Sequence, residues 1–264
     1  MAQAWTRSDT EAVVCCVCRR EGRPIYDLDP FGVVRCPRCT LVFVSPRLRA
    51  DALQRLYDEP GYHEGVYGER GGRSAEMFLQ KQWTSGRLAL AAAQLGRPVA
   101  GARMLEIGAG HGLFLDAARR AGYAVTGVEL SQTAAAHARS AFDLDIHSTQ
   151  LADAPLDGRF DVVCAWDTLE HVPDPVEFWR AVRDVVAPGG VVLFSTPYFS
   201  SVPSRLLRER WWTLKPTEHI WHFTPRTHRT VARAAGMNVT AIVRNPLARA
   251  NLARLDSLVG VARP

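Results

Sequence analysis

The chain of 264 residues is long enough for one large α/β domain with a small appendage, and an apolar content of 47% supports a packed core. No uninterrupted apolar run approaches the roughly 18 to 20 residues that a membrane-spanning helix needs, and residues 1–10 lack the apolar centre of a secretion signal, so a cytoplasmic protein with no membrane partner is expected. The net charge of +5 rests on arginine, Lys81 and Lys215 being the only lysines; that skew follows base composition, and nucleic acid is not the expected partner.

Five of the six cysteines precede residue 40. Cys15-x2-Cys18 and Cys36-x2-Cys39 are separated by seventeen residues, within the window of a four-thiolate zinc site. Two-residue spacers let both sulfurs of a knuckle face one tetrahedral ion, and Cys15 rather than Cys16 is the expected ligand because Cys16 and Cys18 are one residue apart. Four protein ligands leave no open position, so the zinc is expected to be structural and to fold a segment too short to bury a core of its own. The competing reading, a pair of disulfides, suits a secreted chain. Residues 1–45 are assigned to this ribbon, with its last strand at 41–44 and Ser45-Pro46-Arg47 as its exit.

Residues 46–98 read as a mostly helical connector that also covers the active site. Its centre, 57–67, is rich in turn formers and aromatics, whereas 75–95 has no breaker but Gly86 and is predicted to be a helix. Residues 99–264 form the catalytic domain. Met104-Leu105-Glu106-Ile107 reads as a buried strand that breaks into Gly108-x-Gly110-x-Gly112 before a helix. Glycines there allow a tight turn and a close backbone approach to a nucleotide-like ligand. The next strand, 124–128, ends in Glu129-Leu130, where an acidic side chain is placed to accept hydrogen bonds from ribose hydroxyls. The spacing departs from the dinucleotide G-x-G-x-x-G, and Glu106 sets negative charge where a pyrophosphate would lie, which favours a cofactor carrying a cationic amine.

At these residues the chain resembles the class I S-adenosylmethionine-dependent methyltransferases, whose first motif is E-x-G-x-G. The resemblance implies a doubly wound, seven-stranded Rossmann-like α/β sheet whose last strand is antiparallel. Alternating strands and helices agree with it: further strands are predicted near 145, at 160–165 and at 191–195, with an edge pair at 238–244 and 258–262. It implies adenine contacts at the third-strand exit, Gln150-Leu151. The segment Asp167-Thr168-Leu169-Glu170-His171-Val172 resembles the D-x-L-E-H-V of ubiquinone-type and other small-molecule methyltransferases, which puts Trp166 and Asp167 under the methionine end of the cofactor and His171 near the methyl group. A helix-start residue that caps or packs is the plainer reading of His171, and a structural role is preferred for Glu170.

Residues 198–216 are long for a plain connection and read as a lid, with Arg205, Arg208, Arg210 and Trp211-Trp212 placed to close over an anionic acceptor, or else as a packed flap with solvated charges. Glu218-His219-x3-Phe223 resembles the E-H-x3-F stretch of deoxysugar methyltransferases, which also carry a four-cysteine zinc module; the resemblance implies acid/base roles for Glu218, His219 and His171. His219 and His222 as ligands of a second metal lack a third ligand of suitable spacing. The expected chemistry is in-line methyl transfer to a small-molecule acceptor of specialised or sugar metabolism, at oxygen first, then carbon, then nitrogen, with a histidine base. An RNA methyltransferase gripping nucleic acid through the ribbon, and a non-catalytic cofactor- or partner-binding domain, are the rival readings. The sequence carries no sign of oligomeric state.

Overall fold

The computed structural model describes residues 5–57, 73–244 and 256–264. Positions 58–67 of the turn-rich connector centre lie outside them. In chain order the elements are β1 (Thr10–Glu11), β2 (Arg23–Leu28), β3 (Phe31–Arg35), β4 (Val42–Val44), β5 (Arg47–Leu48), α1 (Ala50–Tyr57), α2 (Arg73–Leu95), β6 (Arg103–Ile107), α3 (Leu113–Arg120), β7 (Ala124–Val128), α4 (Gln132–Phe142) and β8 (Ile146–His147). They continue with β9 (Phe160–Trp166), α5 (Pro175–Val185), β10 (Val186–Pro197), α6 (Val202–Leu207), β11 (Trp221–His222), α7 (Pro225–Ala234), β12 (Asn238–Arg244) and β13 (Ser257–Arg263).

The large sheet has seven strands in the order β12-β13-β10-β9-β6-β7-β8. Strands β6 to β10 pair in parallel, and β13 enters antiparallel between β10 and β12, as the resemblance implied. The central strands read as continuous apolar runs because both their faces are covered: six of the seven residues of β9 are buried. Trp179 of α5 is fully buried and meets Phe194 of β10 edge to face at 5.3 Å. Gly260 of β13 lies under the same phenylalanine, where a Cβ would overlap the ring.

Local sequence fixes the helix starts. Ser131 accepts the Ala134 N–H at 3.2 Å ahead of α4, and Asp174 accepts the N–H groups of Val176 and Glu177 ahead of α5, with Pro175 in the first turn. Thr224 and Thr227 form a reciprocal cap on α7. Among the described residues no helix is long and apolar enough to cross a membrane.

The ribbon strands β2, β3 and β4 form a meander, and its fourth strand comes from the other end of the chain. β11 pairs antiparallel with β4, Trp221 opposite Phe43 and His222 opposite Val42. The predicted last ribbon strand is therefore an inner strand, and residues that the sequence leaves in a loop after the fifth catalytic strand complete the ribbon sheet. β1 and β5 pair separately and carry the chain past Ser45 to α1.

Candidate active site

The strand-to-helix loop after β6 bends through three left-handed glycines: Gly108 at φ 73°, Gly110 at φ 53° and Gly112 at φ 80°. Close packing adds to the backbone requirement, since a Cβ on Gly108 would lie 2.7 Å from the Thr168 hydroxyl and one on Gly112 2.7 Å from Leu144. Glu129, at the tip of β7, accepts the Gly110 N–H at 2.8 Å and the Ser131 N–H at 2.7 Å. It thereby ties the glycine loop to the start of α4. Leu130 beside it is 53% exposed, an apolar surface open to a ligand. Gln150 is exposed and Leu151 buried at the turn that follows β8.

Glu106 is the unusual group of this end. Its side chain is buried, and its Oε2 has no hydrogen-bond partner. Burial, reinforced by the Glu129 charge and opposed by the Arg87 guanidinium, pushes its carboxyl up to about 8. A buried carboxyl left without a partner is costly unless a cation or a donor meets it, and the amine of a bound amino-acid moiety would be such a group.

Across the sheet from it, Asp167 sits at φ 52° just past β9. It is held there by its own N–H donating to Ser195 and by its Oδ1 accepting the Ser195 hydroxyl at 3.0 Å. Its Oδ2 pairs with Arg87 of α2 at 3.1 Å. The Arg87 guanidinium lies 4.5 Å over the Trp166 ring, which itself packs edge to face on Phe114. Sequence reasoning placed Trp166 and Asp167 here but missed Arg87. The available signal was one cation heading a helical run of alanines and leucines, 88–95, that only Gln94 interrupts.

At the neighbouring strand ends, His171 and His219 meet edge to face with ring centroids 4.8 Å apart. His219 Nδ1 lies 2.7 Å from the Thr213 carbonyl; a carbonyl only accepts, so Nδ1 carries the proton and Nε2 is left with a lone pair. Burial pushes both imidazoles below the ordinary histidine range, His171 to about 3, so both are neutral at pH 7. The Glu218 carboxylate turns to Lys215 at 3.6 Å.

Glu170 supplies a second buried carboxyl whose oxygens are both unpartnered, and burial drives it well above the carboxylate range. Its carboxyl and the two imidazoles lie within 4.8 Å of one another, a set that could hold a metal ion or pass a proton. His222, considered with His219 as a ligand, stands apart from that set and packs between Phe199 at 5.4 Å and Trp211 at 6.2 Å.

The segment 198–216 is a packed flap in its second half. Trp211 is buried on Val33 and Val42 of the ribbon with Leu214, and its indole N–H donates to Asp256 at 2.7 Å. Trp212 is 44% exposed.

The sulfurs of Cys15, Cys18, Cys36 and Cys39 also lie within 4.8 Å of one another, with Cys15 and Cys39 3.5 Å apart and no disulfide formed. Cys16 is outside the group. Hydrogen bonds from Cys16 and Cys39 pull the Cys15 thiol down, while Cys39 is pushed up by its bond to Cys15 and Cys18 by burial. The first thiolate resists the next unless a cation compensates them, and four thiolates at this separation suit a zinc ion bound at about 2.3 Å.

Solved structures share this fold. Magnesium protoporphyrin IX methyltransferase from Synechocystis, with bound S-adenosylhomocysteine, superposes with a TM-score of 0.62 at 15% identity, over 81% of this chain and 99% of that one. The 1,6-didemethyltoxoflavin N1-methyltransferase of Burkholderia thailandensis gives 0.59 at 21% identity, over 91% and 98%. In sequence, the ubiquinone biosynthesis O-methyltransferase of Albidiferax ferrireducens is 40% identical over 107 residues, 38% of this chain and 42% of that protein. That of Ralstonia nicotianae is 39% identical over 106 residues, 38% and 44%. The chain therefore spans less than half the length of these curated relatives. Residues 76–242 match the methyltransferase domain family, a stretch that holds the glycine loop, Asp167, His171 and His219, and the chain belongs to that family.

Proposed function

We propose that the protein transfers a methyl group from S-adenosylmethionine to a small-molecule acceptor, at oxygen in preference to carbon or nitrogen, with a neutral histidine as base. The observation that carries this is the buried, unpartnered carboxyl of Glu106 behind the glycine loop, set on the same sheet edge as a pair of uncharged imidazoles. The oxygen preference leans on the ubiquinone-type relatives. A place in specialised or sugar metabolism, and an anionic acceptor, belong to the same proposal.

S-adenosylmethionine, when bound, supplies an electrophilic methyl carbon on a sulfonium. Glu106 and Asp167 would hold its ammonium, Arg87 its carboxylate, and Glu129 its ribose hydroxyls, with Leu130, Gln150 and Leu151 around the adenine. His219 Nε2 takes the acceptor's proton as the new bond forms, and the proton on Nδ1 stays with the Thr213 carbonyl. His171 packs edge to face against that ring at 4.8 Å and restricts it, and burial keeps the His219 imidazole neutral until the acceptor's proton arrives. Cys15, Cys18, Cys36 and Cys39 would hold a structural zinc.

His219→Ala is expected to lower turnover by roughly 10² or more while S-adenosylhomocysteine affinity stays within about twofold, as read by calorimetry; in the native enzyme the acid limb of kcat falls below pH 6.5, because burial has lowered both imidazoles. Unchanged turnover would remove His219 from the mechanism.

Glu106→Gln is expected to weaken S-adenosylhomocysteine binding at least tenfold. The folded pKa of Glu106 is raised, so its contribution to stability is present at low pH and declines from about pH 4.5 as pH rises through about 8. The glutamine variant therefore shows a flatter thermal-stability profile across that window, and two superimposable profiles would contradict the buried-acid reading. Metal analysis of the freshly purified protein is expected to give about one zinc per chain, with the four-thiol assignment abandoned if none is found.

A further inference from the structure

A cavity of about 340 Å³ opens where the flap meets the ribbon hairpin, away from the glycine loop. Tyr26 and Arg35 line it from β2 and β3, and Phe199, Ser200, Arg205 and Arg208 from the chain around α6. The lining holds three guanidinium groups and no carboxylate. Several arginines elsewhere in the amino-terminal part and α1 do find carboxylates: Arg19 pairs with Asp174 at 3.6 Å, Arg47 with Glu11 at 3.2 Å and Arg55 with Asp9 at 2.6 Å. Among the described residues no carboxylate pairs with Arg35, Arg205 or Arg208. A fourth cation, Arg23, stands directly across from Arg35 in the β2–β3 register, an arrangement that repels unless an anion lies near.

The backbone beside the cavity is strained as well. Arg208 is held at φ 50° and ψ −116°, a region that side-chain-bearing residues avoid. The anchors that hold it there are its own N–H to Ser204 and the Trp211 N–H to its carbonyl at 3.1 Å, with Trp211 fixed in turn by Asp256. One aromatic wall ties the cavity to the short strand that follows His219. Phe199 forms one of its walls and packs at 6.0 Å on Trp211 and 5.4 Å on His222, the strand residue three positions past His219.

We propose that this cavity is an anion subsite for the acceptor, and that Arg35 of the ribbon with Arg205 and Arg208 of the flap clamp a phosphate or diphosphate ester carried by it. Guanidinium forks match phosphate oxygens bidentately, and three of them call for more than the single charge of a carboxylate. The volume accommodates a diphosphate with part of the group it esterifies. The ribbon thereby takes part in substrate recognition. The inference rests on the small-molecule reading above.

Calorimetric titrations of the full-length protein with inorganic pyrophosphate, inorganic phosphate, phenyl phosphate, acetate and an RNA oligonucleotide test it, with S-adenosylhomocysteine titrated in parallel. Pyrophosphate is expected to bind. Arg35→Ala and Arg205→Ala/Arg208→Ala should each weaken it tenfold or more, Arg210→Ala on the same flap less than twofold, and S-adenosylhomocysteine affinity should hold in every variant. Phenyl phosphate should bind at least as well as inorganic phosphate, and acetate at least tenfold more weakly.

Pyrophosphate binding that is absent, or equally sensitive to Arg210→Ala, overturns the subsite, as does acetate binding of equal strength. Inorganic phosphate favoured tenfold over the ester overturns the link to the acceptor. RNA binding that needs the same three arginines and exceeds pyrophosphate binding overturns it in favour of a polynucleotide surface. Failure of the native protein to bind S-adenosylhomocysteine would count against the cofactor reading instead, which keeps the two failures apart.

Discussion

The short strand β11 is the constraint on which the site depends. It is the fourth strand of the ribbon sheet, and the Val44 N–H donates to the Ile220 carbonyl at 3.0 Å just before it. On its other side, the N–H groups of Ile220 and Trp221 both donate to the Glu170 carbonyl, at 2.9 and 3.1 Å. The Trp221 ring packs at 5.5 Å on Phe43 of the ribbon, and its indole N–H donates to Val172 at 2.8 Å. The segment that carries His219 is thus stitched to the ribbon on one side and to the loop after β9, which carries His171, on the other. Two loops apart in sequence face each other because β11 completes the ribbon sheet while its entry is hydrogen-bonded to the loop after β9.

Burial then sets the charge state that this geometry needs. Two carboxyls, Glu106 and Glu170, are pushed toward their protonated forms, and two imidazoles toward neutrality, by the same desolvation. Neutral imidazoles can take a proton at pH 7, and an unpartnered buried carboxyl gains most from a cation brought by a ligand. The ion pair of Arg87 with Asp167 sets two opposite charges side by side at the end of β9.

Much of this was legible in the sequence. Buried parallel strands leave continuous apolar runs, so β6, β7, β9 and β10 stood out, and the antiparallel pair β12–β13 followed from the resemblance. The glycines were recognisable because few residues tolerate their left-handed turns, and the cysteines because two C-x2-C pairs are the spacing that brings four sulfurs together. What escaped was non-local. Two residues suffice for β11, and a strand that short has no periodicity to read. Arg87 matters through partners 80 and 108 positions away, Asp167 and Ser195. Trp211, expected over an acceptor, is the anchor of the flap, because its indole finds Asp256 and the ribbon core, neither of which its neighbours in sequence announce.

The dependence of the histidine pair on the ribbon can be read directly by hydrogen exchange in a Cys36→Ser/Cys39→Ser variant, which breaks the knuckle between β3 and β4. The account predicts that amide protection is lost together in residues 41–44 and 219–223, while β6 keeps its native protection. Protection of 219–223 that survives the loss of 41–44 would contradict it.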